Sequence, residues 1–484
     1  MKHYLNFIDG KWRDSESILT VNNPATGEPY ATIALAGIDD AEQAMSAAQK
    51  CVESGSMTKV RPAMRSGWML KAAVAIRDIA DDAALVLCRE NGKTLADAKD
   101  EFLEAARYFE YYAGLADKIE GTSVPLGDGY INFTEYLPFG VSVQIVPWNF
   151  PVSICARSLA PALAAGNAVV VKSPELSPLA MTMLFNAILD AGFPSGALQL
   201  ICGEGKEVGA HLVRHCLTDQ IVFTGSVATG KRILADSASS VTPSVMELGG
   251  KSAAVVLEDA DLSNLIQSVK TGIFFNAGQV CSAMSRLVVH ESRYEEIKRA
   301  VTELASGLSI GHGEHQPDIT PLISREQQTR VLQMIDKARD DGANVLTGDA
   351  ALDTNGFFVL PTVIEATPEL DIARQEIFGP VIVIMPFKSE QEAIGIANGT
   401  EFGLVAGVFG ENLNDALRVA RQLRGGQVFV NEWFAGGVET PFGGVGLSGF
   451  GREKGQEAIF GYVQTRSTTV RIAESGRTDD SSAE

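Results

Sequence analysis

Six cysteines are spread along the 484 residues, at positions 51, 88, 155, 202, 216 and 281, and one of them is framed for chemistry. Cys281 stands in FFNAGQVCSA, where a glycine and two small amides precede the thiol. Such a run allows a tight loop beyond a helix ending near Phe275. A loop of that kind can aim a thiol into a cleft and free its backbone N–H as an oxyanion donor. Taken alone, the decamer reads equally well as a buried structural cysteine. The other five lie in helical or strand patterns. No CxxC pair or zinc-like spacing occurs, so free thiols in a reducing cytoplasm are expected.

Carboxylates and amides at strand ends come next. Glu247, in VMELGGKS, follows an apolar strand and precedes two glycines, where a carboxylate can act as a general base. Asn149, in IVPWNFP, can donate to an oxyanion, although an asparagine before a proline is also an ordinary turn residue. Lys172 and Glu175, in KSPE, suit the hydroxyls of a ribose. FTGSVATGK (223–231) places Gly225 and Gly230 at a strand-to-helix turn whose N–H groups can hold a pyrophosphate, without the GxGxxG spacing. Glu376, in QEIFGP, can hold a second sugar. His211 and His215 are four apart but lack the HExxH glutamate, and His312 and His315 lie in a glycine-containing loop. No metal site is expected from either pair.

The elements that must position these groups are legible as an alternation. GVSVQIVPW, NAVVVK, LQLICG, IVFTG and SVMELGG read as strands. Helices between them span about 152–165 and 177–191 and start near Lys206 and Ala228. This is a parallel sheet with helices on both faces. A second α/β series runs through AAVVLE, RLVVH, FFVLPTVI, PVIVIMPF, VAGVFG and QVFVN. A helix-rich stretch (about 39–114) should pack on the first sheet. The β-prone segments 121–138 and 462–473 lie outside both series and can pair with each other or with another subunit. ESGRTDDSSAE at the end reads as a solvated tail. Sixty acidic against forty basic residues, a formal charge of −20, argue against binding nucleic acid or an anionic membrane surface. No apolar run is long enough to span a bilayer, and the N-terminus shows no secretory signal.

IVPWNFP, KSPE, FTGS, MELGGKS, GQVC, EIFGP and the late PFGG…SGFGREKG together resemble the NAD(P)-dependent aldehyde dehydrogenase superfamily, in order and spacing over nearly the whole chain. The resemblance implies a Rossmann-like NAD-binding domain (1–118 and 139–249), an α/β catalytic domain (250–462) and a small β oligomerisation flap (119–138 and 463–475), with a polar tail (476–484). It implies Cys281 as nucleophile, Glu247 as base, and Asn149 with the Cys281 N–H as oxyanion hole. Lys172 and Glu175 would hold the adenosine ribose, Gly225 and Ser226 the pyrophosphate, and Glu376 the nicotinamide ribose. Ile145, Trp148, Gly205, Gly209, Phe223, Gly230, Leu248 and Phe378 complete the cofactor set. Homodimers or homotetramers are usual in such a family.

What the resemblance then implies is oxidation of an aldehyde to the acid through a cysteine thiohemiacetal and a thioester, without metal. Glu247 favours hydrolysis over the CoA-acylating branch. The four retained groups Cys281, Glu247, Asn149 and Glu376 argue against a catalytically silent scaffold protein. Glu175 favours NAD over NADP, because a carboxylate repels a 2′-phosphate. For the substrate, Arg157 stands where the succinate-semialdehyde branch has a clamp arginine. Phe275 replaces a second arginine of that clamp, and Trp433, Phe434 and Phe442 add aromatic bulk. The expectation is an apolar or aromatic body with a polar or anionic end, set against Arg157 forming a structural ion pair.

Overall fold

The computed structural model describes residues 1–472, so the expected tail and residues 473–475 of the expected flap lie outside the described residues. The first alternation forms an eight-stranded sheet. Its order is Gly449–Phe450, Ser244–Glu247, Gln220–Thr224, Val141–Ile145, Ala168–Ser173, Leu198–Cys202, Asn6–Ile8, Lys11–Arg13. The five inner strands are parallel. From Val141–Ile145 the chain builds outward on one side and then returns to build on the other. A strand order that reverses in this way opens a crevice at the carboxyl ends of the strands. Ile145 is paired with both Lys172 and Phe223 at that edge, and Thr224 with Glu247. The inner strands are almost wholly buried and mostly apolar: helices Ile38–Ser54 and Pro151–Ala165 pack on them, and the latter is buried along its whole length.

The second series forms a seven-stranded sheet in the order Asn344–Thr347, Thr362–Glu365, Val381–Phe387, Arg286–His290, Ala253–Val256, Val405–Phe409, Gln427–Val430. It is parallel except for the first pair. Only Thr362–Glu365 of the expected FFVLPTVI strand is regular. The two β-prone segments pair with each other: Tyr130–Pro138 and Val463–Arg471 run antiparallel over their full length, with Ser123–Val124 on the outer edge.

Two features depart from the sequence reading. The first 35 residues, left unassigned, hold five short strands. Three make a separate sheet, and two extend the first sheet as an antiparallel edge. The expected 250–462 unit is also divided. Val438, Ala458, Ile459 and Tyr462 are buried in the core of the first sheet, and Gly449–Phe450 pairs antiparallel with Ser244–Glu247. A two-residue strand carries no periodicity that could reveal it. Its return brings Glu453 beside Arg157 and Glu247. No helix among the described residues is long and apolar enough to cross a membrane.

Candidate active site

Cys281 lies on the wall of a cavity of about 480 Å³ between the two sheets. The helix expected to end near Phe275 does so irregularly. Leu262–Val269 is α-helical, and Lys270–Phe274 widens into a π turn. Asn276, Ala277 and Gly278 then take φ of +49°, +52° and +72°. Three successive left-handed residues are costly for Asn and Ala. The surroundings hold them: Gln279 Nε2 donates to the Asn276 carbonyl (3.1 Å), and Ile323 N–H donates to Gln279 Oε1 (2.9 Å). At Gly278 a Cβ would strike the Gly379 carbonyl, so the small residue is a steric requirement. This loop turns Cys281 into the cavity. Burial pushes its thiol up to about 11, opposed by the positive charge of Arg157 and reinforced by Glu376 and Glu247.

Asn149 sits at the turn after Val141–Ile145 and is buried. Its Nδ2 donates to the Gln279 carbonyl (3.0 Å), two residues before the thiol. One amide hydrogen is thereby used and the other remains, although Asn149 is not itself on the cavity wall. Glu247, at the end of Ser244–Glu247, is 2 % exposed, and neither carboxylate oxygen has a hydrogen-bond partner among the described residues. It is not on the cavity wall. It faces Gly443, where a Cβ would lie 2.7 Å from Glu247 Oε1. Burial and the neighbouring Glu453 carboxylate hold it well above the usual carboxylate range, against the pull of Arg157 and Arg452.

Of the two expectations for Arg157, the ion pair is present in the same cluster. Its guanidinium reaches the cavity wall but is ion-paired to Glu453, with both side chains almost fully enclosed. It also lies over the Phe442 ring, 5.1 Å from the centre. A cation already neutralised at contact distance has little charge left for a substrate carboxylate. Phe275, Phe434 and Phe442 do line the cavity. Trp433 does not: it is 3 % exposed, donates from Nε1 to the Ser282 carbonyl (3.1 Å), and packs against Gly407, where a Cβ would meet its ring at 2.7 Å. Sequence reasoning missed Phe150, Tyr108, Glu104, Phe429 and Lys454 on the wall. A signal existed in helix Leu95–Ala113, whose Asp97, Glu101, Glu104 and Tyr108 recur at helical spacing and all face the cavity. Glu104 is pushed up by burial but is held below its ordinary value overall by Lys454, with help from Ser153.

A second crevice, of about 690 Å³, opens at the strand carboxyl ends and is lined by Ile145, Glu175, Gly205 and Gly209. Lys172 Nζ donates to Glu175 Oε2 (2.6 Å), while Gly205 N–H donates to Glu175 Oε1 (2.8 Å), so the carboxylate is fixed at both oxygens. The helix expected near Lys206 begins as a π turn, Gly205–Gly209. Ser226 caps helix Val227–Ser237 by accepting from Thr229 N–H (3.2 Å). At Gly225 a Cβ would meet the Phe223 ring at 2.5 Å, and at Gly230 it would meet Leu248 at 2.7 Å. Phe223 and Leu248 therefore pack beneath the turn, in a small core with Ile233. Trp148 and Phe378 meet edge to face, 5.4 Å apart, and Phe378 has φ +60°. Glu376 accepts from Gly250 N–H (3.0 Å), which ties it to the strand end beside Glu247, and burial raises its carboxyl. The chemistry of these groups fits a dinucleotide, with a fixed ribose acceptor and a capped helix N-terminus, although Trp148, Gly225, Ser226, Glu376 and Phe378 are not on the wall of this crevice.

His211 and His215 do converge on Glu42, at 2.8 and 3.3 Å. His215 Nδ1, however, accepts from Leu217 N–H (3.1 Å), which puts the proton of the neutral ring on the nitrogen facing Glu42. That nitrogen is then a donor to the carboxylate.

Two largely parallel sheets thus carry a crevice at the strand ends of the first and a thiol on the wall of a partly aromatic cavity. Residues 12–468 match the model of the aldehyde dehydrogenase family. The chain is 38% identical to retinal dehydrogenase 2 of Gallus gallus, over 98% of this chain and 92% of that one. It is 36% identical to betaine aldehyde dehydrogenase of Bacillus subtilis (strain 168), over 95% and 96%. Its fold superposes on an NAD+ complex of an aldehyde dehydrogenase from Bacillus cereus with a TM-score of 0.96 and 36% identity, covering 98% and 97% of the two chains. The chain belongs to the aldehyde dehydrogenase family and is an aldehyde-oxidising enzyme that uses a nicotinamide cofactor.

Proposed function

We propose that the enzyme oxidises an aldehyde with an apolar or aromatic body to its carboxylic acid, with NAD+ and water. The observation that carries this is the position of Cys281, on the wall of an aromatic cavity and two residues after the Gln279 carbonyl that holds the Asn149 amide. The thiol attacks the aldehyde carbon as the thiolate. Asn149 Nδ2 and the Cys281 backbone N–H stabilise the oxyanion that forms. A bound nicotinamide would supply the acceptor for the hydride that the adduct loses. Collapse of the oxyanion leaves a thioester on Cys281. Glu247 then takes a proton from the water that hydrolyses it, which requires its side chain to turn from the Gly443 side toward Cys281. Lys172 and Glu175 hold the adenosine ribose, Gly225 and Ser226 the pyrophosphate, and Glu376 the second ribose.

Glu175 supports NAD over NADP, since both its oxygens are anchored and it cannot readily swing from a 2′-phosphate. For the substrate, Phe150, Phe275, Phe429, Phe434 and Phe442 support an apolar body. Arg157, neutralised by Glu453, removes the argument for an anionic end. The names of the relatives span a long apolar aldehyde and a quaternary ammonium one, so the distal group is what a panel must vary. The antiparallel ribbon exposes Val124, Leu126, Tyr130, Ile131, Phe133 and Val470, which supports self-association into homodimers or homotetramers through this surface. NADH absorbance with a panel of aldehydes tests the reading. NAD+ binding without turnover on any aldehyde would return the chain to the silent scaffolds.

A further inference from the structure

The turn that carries Trp148 and Asn149 is gripped from behind by one short segment, Asn91-Gly92-Lys93. Asn91 Nδ2 donates to the Trp148 carbonyl (2.7 Å). Lys93 Nζ donates to the Asn149 carbonyl (2.9 Å) and to Glu101 Oε2 (2.5 Å), and lies 4.2 Å from the centre of the Phe150 ring. Glu101 Oε1 accepts from the N–H groups of Val152 (2.8 Å) and Ser153 (3.1 Å) at the start of helix Pro151–Ala165. Between the two side chains Gly92 has φ +94°, and a Cβ there would lie 2.9 Å from Pro321. The pair thus holds the peptide carbonyl just before Phe150 and the helix N–H groups just after it.

Both members of this pair are enclosed: Lys93 is 1 % exposed and Glu101 4 %. Apolar side chains of similar volume would often stabilise such a place as well or better. What the charges add is direction. An ammonium with three donors can fix a carbonyl and a carboxylate at once, and the carboxylate then fixes two further N–H groups. The peptide so held is the one whose side chain reaches toward Cys281 through Gln279. Lys93 itself does not reach the cavity wall.

We propose that the Lys93–Glu101 pair is a positioning element for the oxyanion site, holding the Asn149 peptide so that its side-chain amide faces the adduct on Cys281. The proposal rests on the reading of Asn149 as an oxyanion donor. Lys93 acts through Asn149, so removing it slows hydride transfer and leaves substrate and cofactor binding in place.

The test is a double-mutant cycle read by rapid mixing with benzaldehyde and NAD+, with cofactor affinity measured separately by fluorescence titration. Misplacing a catalytic donor by about 1 Å costs up to about a hundredfold, so Lys93→Met should slow the NADH burst roughly tenfold to a hundredfold. KM for benzaldehyde and Kd for NAD+ should stay within about twofold, and adding Lys93→Met to Asn149→Ala should cost less than about twofold more. Lys93→Met/Glu101→Gln removes both buried charges, keeps the acceptor for Val152 and Ser153, and should show the same slow burst; it carries the test if the single variant fails to fold. A burst of wild-type rate in either variant overturns the proposal, as does a full multiplicative loss on top of Asn149→Ala. Loss of NAD+ binding in both variants makes the pair a folding element and ends the proposal too. A wild-type burst in Asn149→Ala alone is a separate result, which removes the oxyanion reading itself.

Discussion

Arg157 and Glu453 form an enclosed ion pair on the wall of the cavity that holds Cys281. Arg157 comes from helix Pro151–Ala165 of the first sheet, and Glu453 from the segment that returns to that sheet after the second one is complete. Three ionisable groups from separate parts of the chain, Arg157, Glu453 and Glu247, are thus buried near one another. One guanidinium faces two carboxylates. Burial raises both, and Arg157 offsets part of this for Glu453 through contact and for Glu247 only at a distance. Both carboxyls therefore hold their protons more tightly than a free carboxylate does.

Replacing Arg157 tests its part in this cluster. Arg157→Leu should leave Glu453 buried without a partner and lower stability by about 3–5 kcal/mol, the cost of breaking an enclosed pair. Arg157→Leu/Glu453→Leu should recover most of that. The ratio of kcat/KM for matched aldehydes with and without a distal carboxylate should change less than about twofold, where a direct contact of about 1.4 kcal/mol gives tenfold. A tenfold fall in that ratio, with the Tm unmoved, would restore Arg157 as a substrate reader.

Cys281→Ala should abolish aldehyde oxidation and leave NAD+ binding intact. The thiol of the wild type also has a distinct pH signature. Its proton affinity is raised, to about 11, so the neutral thiol dominates at pH 7 and thiolate accumulates as pH rises. In the cofactor-free enzyme, alkylation of Cys281 by iodoacetamide should climb about tenfold per pH unit between 7 and 9. Peptide mapping separates it from the exposed Cys216. A rate that levels off by pH 7 means that the thiol is already ionised in the resting enzyme.

The sequence made the inner frame legible and left the returns of the chain hidden. Mostly apolar strands of five or six residues at the first sheet's centre, each followed by a helix, carry a pattern that survives without any tertiary information, and so do KSPE and GQVC at the ends of such elements. Gly449–Phe450 and the π turn Lys270–Phe274 have no such pattern, because tertiary packing selects them. Arg157 shows the same limit at a single residue. Its type and its offset from Asn149 were readable, but its partner lies 296 positions away on a segment whose return the sequence does not announce. Lys93 and Glu101 sit eight apart across a helix start, where a surface ion pair is the usual reading, and only burial shows otherwise.

Glu247→Gln should separate the two half-reactions. Thiolate attack and hydride loss do not need the carboxylate, whereas thioester hydrolysis needs an activated water. A normal NADH burst followed by slow turnover is expected, and loss of the burst would mean that Glu247 also activates the thiol. The raised proton affinity sets a sign as well. A base of this kind is active above its pKa and is lost as pH falls through it, so kcat should decline on the acid side well above the ordinary carboxylate range. Glu453→Gln removes the like charge and should move that limb to lower pH. A limb unmoved by Glu453→Gln would uncouple the two carboxylates.

Cofactor choice should follow the anchoring of Glu175. With Lys172 Nζ on one oxygen and Gly205 N–H on the other, the carboxylate faces the crevice in one orientation. A 2′-phosphate brought there meets a like charge, worth about 1 kcal/mol in bulk water at 4 Å and more where solvent is excluded. Glu175→Ala removes the repulsion and frees Lys172, a cation now unpaired at the crevice edge. Selectivity, read as kcat/KM for NAD+ over NADP+, should fall by at least about tenfold, mostly through a lower KM for NADP+. Glu175→Gln keeps the acceptor for Gly205 but drops the charge, so it isolates the electrostatic part and should give an intermediate ratio. Equal ratios for wild type and both variants would place cofactor discrimination elsewhere in the crevice, with Arg214 and Arg232 on its far wall the next groups to replace.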